Sequence, residues 1–304
     1  MAFDIILQTA DTNESGMNAV LDAARRITGR STDNISSTCS VIPQVDFLRQ
    51  DPRFDRLDKA AREFGADLAV VPSGIRLTDF RAFFFDMDST FVYSETLDEM
   101  ARIEGIGDEC ARITQAAMDG TLKDYAESLR ARVKLLEGHG TRSIDIVWQN
   151  MRLFPGLERL VGFVLARGLR VYIVSSGFSI FTKRIVDKYG LSGSCSNVIE
   201  IDGDHFTGRV SGPAFPPFNG RILDADGKLE FVKSTMEHFG ATPQQSVCFG
   251  DGSNDVKMLD AAGLAIGHRP KPVLRPYCDM ALRFSSYESV LNLFADVRAE
   301  RGAA

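Results

Sequence analysis

Apolar positions along the chain change their spacing near residue 80. Before it they come in short, separate bursts. "FDIILQT" (3–9) reads as an apolar strand and "MNAVLDAARRI" (17–27) as an amphipathic helix. "ISSTCSVI" (35–42) alternates like a strand, "FDRLDKAAREFG" (54–65) has a helical period, and "DLAVV" (67–71) reads as a further strand. This predicts a small α+β unit of roughly β-α-β-α-β order, closed by Pro72-Ser73-Gly74. The predicted domains are therefore 1–79 and 80–304.

From Phe83 the pattern is different. "AFFFDMD" (82–88) is a short continuous apolar run, as expected of a strand buried on both faces of a parallel sheet. Helical segments fill about 94–154. After them, "LRVYIVSS" (169–176) reads as a strand, "FSIFTKRIVDKYG" (178–190) as a helix and "QSVCFGDG" (245–252) as another strand. Strands alternating with helices predict an α/β fold with a doubly wound, Rossmann-like parallel sheet. The helical insert is too long for a simple crossover, so it is expected to form a cap. "NVIEIDGDHFTGRV" (197–210) reads as a β-hairpin turning at Asp202-Gly203.

In open α/β sheets, ligands bind beyond the carboxyl ends of the strands. The first such end carries Asp86 and Asp88, the second Ser175-Ser176-Gly177, and the third Gly250-Asp251-Gly252-Ser253-Asn254-Asp255. Gathered in one crevice, four carboxylates would repel one another at neutral pH. A hard divalent cation relieves that repulsion, and oxygen-only ligands select Mg²⁺ over zinc. Mg²⁺ held by few carboxylates completes its shell with water and substrate phosphate, so the site is expected to handle a phosphate ester. Of two acids two residues apart, Asp86 on the strand end suits a nucleophile and Asp88 a general acid and base. A lone D-x-D is far more often a solvated turn. D-x-D-S-T after an apolar strand, joined by G-D-G-x-N-D at another strand end, is not.

Other residues read two ways. Lys228 opens the helix "KLEFVKSTMEHFG", where a cation opposes the helix dipole; it is either a phosphate-neutralising group or a surface lysine. Arg132 shares an apolar stripe with Tyr125 and Leu129 in "LKDYAESLRARVKLLEG", so it either meets a substrate carboxylate or snorkels to solvent. Glu95 is either an ordinary helix-start acid or a partner for a substrate ammonium.

Composition narrows the class. The 304 residues are 44% hydrophobic and 25% charged, with net charge −6 and pI about 5.4. This is a globular chain with no overall basic footprint for nucleic acid or an anionic membrane. The opening "MAFDIILQTADTNESG" lacks a basic leader, and the most apolar run, "LVGFVLARGLRVYIV", is broken by Arg167 and Arg170. Five scattered cysteines with no C-x-x-C read as buried thiols in a reducing cytoplasm. A homodimer is compatible with all of this.

Together, Asp86-Met87-Asp88-Ser89-Thr90 with Glu95-Thr96-Leu97-Asp98-Glu99-Met100-Ala101 resembles the first motif of the phosphoserine phosphatases, in the haloacid dehalogenase superfamily. "QAAMDGTLKDYAESLRARVKLL" resembles their cap segment, and "IVSSGF", Lys228 and "GDGSND" resemble the three later motifs, over about residues 80–290. The resemblance implies Asp86 as the phosphorylated nucleophile and Asp88 as general acid/base. It implies Mg²⁺ on Asp86, the Asp88 carbonyl and Asp251, with Asp255 supporting. Phosphate would contact Ser175, the backbone at Ser176 and Gly177, Lys228 and Asn254. Glu95 and Arg132 would take the ammonium and carboxylate of phosphoserine, with Met118 and Tyr125 shielding the site. The chain departs from the usual S-G-G of the second motif by carrying Ser176. Residues 1–79 loosely resemble ACT-like domains. Competing readings are action on another small phosphorylated amino acid, such as phosphohomoserine or phosphothreonine, by hydrolysis or phosphotransfer, and a non-catalytic amino-acid sensor.

Overall fold

A computed structural model describes residues 2–10, 13–46, 51–118 and 124–302. It resolves into two compact units, one of Met1–Phe83, Phe154–Leu169 and Met236–Ala304, the other of Phe84–Leu153 and Arg170–Thr235.

The first unit opens with β1 (Phe3–Thr9), α1 (Glu14–Thr28), β2 (Asp33–Ser36), β3 (Cys39–Val45), α2 (Pro52–Glu63) and β4 (Ala66–Pro72). Asn13 caps α1 by accepting the Gly16 N–H at 3.0 Å, and Asp51 caps α2 by accepting that of Arg53 at 2.8 Å. Met17, Val20, Leu21 and Ala24 on α1 join Phe54, Leu57 and Ala61 on α2 and Ile5, Leu7, Ile42 and Leu68 on the strands in one apolar cluster. Each large side chain so buried stabilises the fold by about 1.5–3 kcal/mol.

"ISSTCSVI" is not one strand. It is a hairpin, with β2 and β3 meeting at Ser37-Thr38, where the Thr38 N–H bonds the Ser36 hydroxyl at 3.3 Å. That turn uses no Gly, Pro or Asn, and β2 is exposed along its whole length, so neither signal marks it.

Within this unit the strands run β2-β3-β1-β4, antiparallel, and the order continues through β11 (Met280–Leu282), β10 (Leu264–His268) and β9 (Ser246–Gly250). The pairs β9/β10 and β10/β11 are parallel. Asp67 fastens β4 by accepting the N–H groups of Arg283, Phe284 and Ser285 and the Ser285 hydroxyl.

The chain passes between the units inside β5 (Ala82–Phe85), whose four residues are all completely buried. The second unit then places α3 (Thr96–Ile103), α4 (Gly107–Met118), α5 (Tyr125–Lys134) and α6 (Arg142–Asn150) in the predicted cap interval. After α7 (Leu157–Ala166) in the first unit come β6 (Arg170–Phe178), α8 (Ser179–Tyr189), β7 (Gly193–Asp202), β8 (His205–Ser211) and α9 (Ala225–His238). β6 and β7 are parallel, and β7/β8 is the expected hairpin, with Asp202 opposite His205 and Gly203 at φ 58°. The last helices are α10 (Val256–Ala261) and α11 (Ala295–Gly302).

Phe84 stacks on Tyr172 at 5.3 Å, and Phe85 meets Phe91 edge-on at 5.5 Å. These rings are core, and they fix where the residues after β5 stand. All five cysteines are free and buried. Burial pushes the Cys39 and Cys248 thiols up to about 12, so neither is a reactive thiolate. Among the described residues no helix is long and apolar enough to cross a membrane.

Candidate active site

β5 delivers Asp86 into a buried position, with its side chain only 6% exposed. Its Oδ1 accepts the Met87 N–H at 2.7 Å and lies 2.9 Å from Nζ of Lys228. The Lys228 side chain is 0% exposed, so it is no surface lysine. α9 carries it in from its first turn, where the Lys228 N–H bonds the Asp224 carbonyl at 2.9 Å.

Asp88 follows at a tight turn, in which the N–H groups of Phe91 and Val92 bond the Met87 carbonyl at 2.8 and 3.0 Å. Its carboxylate accepts the Thr96 N–H at 3.1 Å and the Thr96 hydroxyl at 3.2 Å. Burial, then the charges of Glu95 and Asp86, hold the Asp88 carboxyl well above the usual carboxylate range, and the Thr96 bonds offset this only in part. Asp88 is thus set up to carry a proton beside a charged neighbour. Ser89, in the left-handed region at φ 55°, donates its hydroxyl to Glu95 Oε1 at 2.7 Å. Glu95 itself is exposed, at the start of α3.

β6 brings Ser175, Ser176 and Gly177 to the same unit. Its register with β7 skips from Ser175 opposite Ser196 to Phe178 opposite Asn197, which takes Ser176 and Gly177 out of the ladder. The Gly177 N–H bonds the Ser175 hydroxyl at 2.9 Å. A Cβ on Gly177 would stand 2.9 Å from Asp88 Oδ2 and 3.0 Å from the Met87 methyl, so any larger residue there would press on the Asp88 carboxylate and displace it. Ser176 is not among the residues with positive φ, and a serine in place of glycine meets no backbone penalty at that position.

From the cap, α5 sends the hydroxyl of the half-buried Tyr125 to the Ser176 carbonyl at 3.3 Å. Burial raises the phenol's pKa, keeping it a donor. Arg132 is half-buried two turns further along; its Nε bonds the Ser128 carbonyl at 3.4 Å and its charge acts on Tyr125. Met118 ends α4; its side chain lies outside the described residues, as does Leu122.

The first unit carries the other two acids expected from the sequence, Asp251 and Asp255. Asp255 is fully buried, and its Oδ2 accepts the N–H groups of Asp251 and Gly252 at 3.0 and 3.1 Å. That packing needs Gly250, where a Cβ would lie 2.4 Å from the Asp255 carboxyl carbon. Asp251 Oδ2 is 2.9 Å from Nζ of Lys271. Asn254 is half-buried in the single turn Ser253–Asp255. Asp86 in the second unit and Asp251 and Asp255 in the first are each buried carboxylates, the oxygen donors that a hard divalent cation such as Mg²⁺ takes.

Sequence reasoning overlooked three residues. Thr96 looks like a routine helix-start threonine, although it lies within the motif. Lys271 sits between prolines in a loop and carries no pattern. Asn197, fully buried on β7, bonds the Ser176 carbonyl at 2.8 Å; in the sequence it stands only as a hairpin residue.

A family model described as haloacid dehalogenase-like hydrolase matches residues 80–263. A phosphoserine phosphatase from Polaromonas sp. is 38% identical over 230 residues, covering 75% of this chain and 96% of its own. Among solved structures, a haloacid dehalogenase family hydrolase from Salmonella enterica serovar Typhi is similar at TM-score 0.82 and 26% identity, covering 97% of this chain and 99% of its own. A phosphoserine phosphatase captured as a phospho-aspartyl intermediate analogue is similar at TM-score 0.63 and 30% identity, over 71% of this chain and 99% of its own. The chain therefore belongs to the haloacid dehalogenase-like hydrolases, within the phosphoserine phosphatase family. Its α/β fold with a cap is that of this family.

Proposed function

We propose that this chain is a Mg²⁺-dependent phosphoserine phosphatase of the cytoplasm, releasing L-serine and phosphate in the last step of serine biosynthesis. The observation that carries the reading is the pairing of two unlike carboxyls: Asp86, charged against Lys228 at 2.9 Å, and Asp88, held above the usual carboxylate range. Two neighbouring acids held in unlike environments are suited to separate roles.

An Asp86 oxygen attacks phosphorus and the bond from phosphorus to the serine oxygen breaks. Asp88 gives its proton to that departing oxygen, leaving L-serine and an aspartyl phosphate. Asp88, now a carboxylate, takes a proton from the water that attacks the phosphorus of the acyl phosphate. Asp86 leaves as a carboxylate and inorganic phosphate is released. A relative of known structure, captured as a phospho-aspartyl intermediate analogue, supports this course.

Lys228, Ser175, Asn254 and the backbone at Ser176 and Gly177 bind the phosphoryl oxygens. Glu95 and Arg132 select the ammonium and carboxylate of the substrate, and Met118 and Tyr125 exclude water. Asp86, the Asp88 backbone carbonyl, Asp251 and Asp255 would hold Mg²⁺, which when bound offsets the charge of the carboxylates and phosphate. We read residues 1–79, with their own apolar cluster, as a small α+β domain preceding the catalytic part 80–304 and its cap at about 94–154.

The test is phosphate release from phosphoserine, phosphothreonine and phosphohomoserine, each with Mg²⁺ and with chelator. Phosphoserine should be turned over fastest and only with Mg²⁺. Equal rates on all three would defeat the assignment.

A further inference from the structure

Asn197 makes more of its side chain than its place on a hairpin strand requires. It is completely buried. Its Nδ2 donates to the Ser176 carbonyl at 2.8 Å and reaches the Leu223 carbonyl at 3.4 Å, while its Oδ1 accepts the Leu223 N–H at 2.7 Å. One amide thus joins two segments distant in sequence: the bulge after Ser175 and the approach to α9, which carries Lys228.

The consequence for the bulge follows from peptide geometry. The Ser176–Gly177 peptide is trans, so its C=O and N–H point in opposite directions. Asn197 draws the carbonyl to one side, and the Gly177 N–H is turned to the other. There it bonds Ser175 Oγ, on the side where a Gly177 Cβ would meet Asp88. A reversed peptide would present a carbonyl oxygen to an anionic ligand. On the α9 side, both polar groups of Leu223 are fastened one residue before Asp224, whose carbonyl receives the Lys228 N–H.

We propose that Asn197 is a positioning residue for the phosphate pocket, setting the direction of the Ser176–Gly177 peptide and the seating of Lys228 without touching substrate. The ligand class it serves is a tetrahedral phosphate, free or esterified, and this rests on the phosphatase reading above.

The test compares Asn197→Asp and Asn197→Ser with Thr182→Val. The aspartate keeps the acceptor for Leu223 but loses the donor to Ser176. The serine is too short to span both segments. Thr182→Val removes a neighbouring buried bond, from Thr182 Oγ1 to Ser196 Oγ at 2.8 Å, that touches neither segment, and so serves as the stability control. Binding of inorganic phosphate is measured calorimetrically with Mg²⁺ present, beside KM for phosphoserine and for p-nitrophenyl phosphate, and inhibition by L-serine.

Both Asn197 variants should weaken phosphate binding and raise KM for both esters by a similar factor of about tenfold, the loss expected for one misplaced hydrogen bond to an anion. L-Serine inhibition should stay within about twofold of wild type, and Thr182→Val should leave phosphate affinity unchanged. Unchanged phosphate affinity in a folded Asn197 variant would overturn the proposal. So would equal weakening of phosphate and L-serine, or a phosphate loss matched by Thr182→Val. If the wild-type chain fails to hydrolyse phosphoserine, the substrate reading falls, while the phosphate titration still decides the role of Asn197.

Discussion

Nζ of Lys228 lies 2.9 Å from Oδ1 of Asp86, with both side chains shut away from solvent. Such a pair is expensive to break from one side, because the remaining charge stays buried without a partner. Lys228→Met should therefore destabilise the metal-free protein by about 3–5 kcal/mol in urea unfolding. Adding Asp86→Asn should restore much of that stability while leaving no phosphatase activity. A double variant as unstable as the single would contradict the pairing.

Asp88→Asn keeps the shape of the side chain but removes the proton that Asp88 would deliver in the proposed mechanism. Turnover of phosphoserine should fall about 10²–10⁴-fold. p-Nitrophenyl phosphate, whose leaving group needs little protonation, should suffer much less in the step that forms the intermediate. A burst of nitrophenolate followed by slow hydrolysis is the expected trace. Equal loss on both esters in single-turnover kinetics would argue against Asp88 as the acid.

The bulge makes opposite predictions for adjacent residues. Ser176→Gly should leave turnover within a few-fold, because Ser176 already has an ordinary backbone. Gly177→Ala should depress kcat strongly, by about tenfold or more, since its Cβ would press to 2.9 Å of the Asp88 carboxylate. Kinetics on the two purified variants distinguish these outcomes directly.

Glu95 is exposed and accepts the Ser89 hydroxyl at 2.7 Å, and the proposed function gives it the ammonium of the substrate. Glu95→Gln should raise KM for phosphoserine about tenfold or more. KM for p-nitrophenyl phosphate, which has no ammonium, should hardly change. Parallel increases for both would remove Glu95 from substrate selection.

Asp58 gives a pH prediction away from the site. Burial raises its pKa, but Arg275, whose Nη2 is 2.5 Å away, together with Arg283 and Arg62 lowers it further, and the net shift is downward. A depressed carboxyl stabilises the fold above its unfolded pKa of about 3.9, and that contribution disappears as pH falls through the lower folded value. The melting temperature of Asp58→Asn should lie below wild type at neutral pH, and the two should converge as pH drops below about 4. A constant difference across that range would contradict the ion pair.

How far these features were legible depends on distance along the chain. The positions of Asp86 and Asp88 could be read because one apolar strand carries both to its tip, and the cap followed from an insert too long for a crossover. Lys228 stayed ambiguous, since its burial depends on how α9 meets Asp86, which no local pattern records. The two strands within "ISSTCSVI" read as one because a Ser-Thr turn and a wholly exposed strand break no hydrophobic period. Thr96, Lys271 and Asn197 went unnoticed for a related reason: each acts through hydrogen bonds or charge to groups that are adjacent only after folding. The substitution at Ser176 looked like a departure needing an explanation, and its backbone angle removes the need.

The most direct measurement is acid quench of the Mg²⁺-loaded enzyme within the first turnover of phosphoserine, followed by mass spectrometry of its peptides. The account predicts a transient phosphoryl group on the peptide containing Asp86, absent from Asp86→Asn, and decaying with release of inorganic phosphate. Full turnover with no label on that peptide, or with the label on another residue, would contradict it.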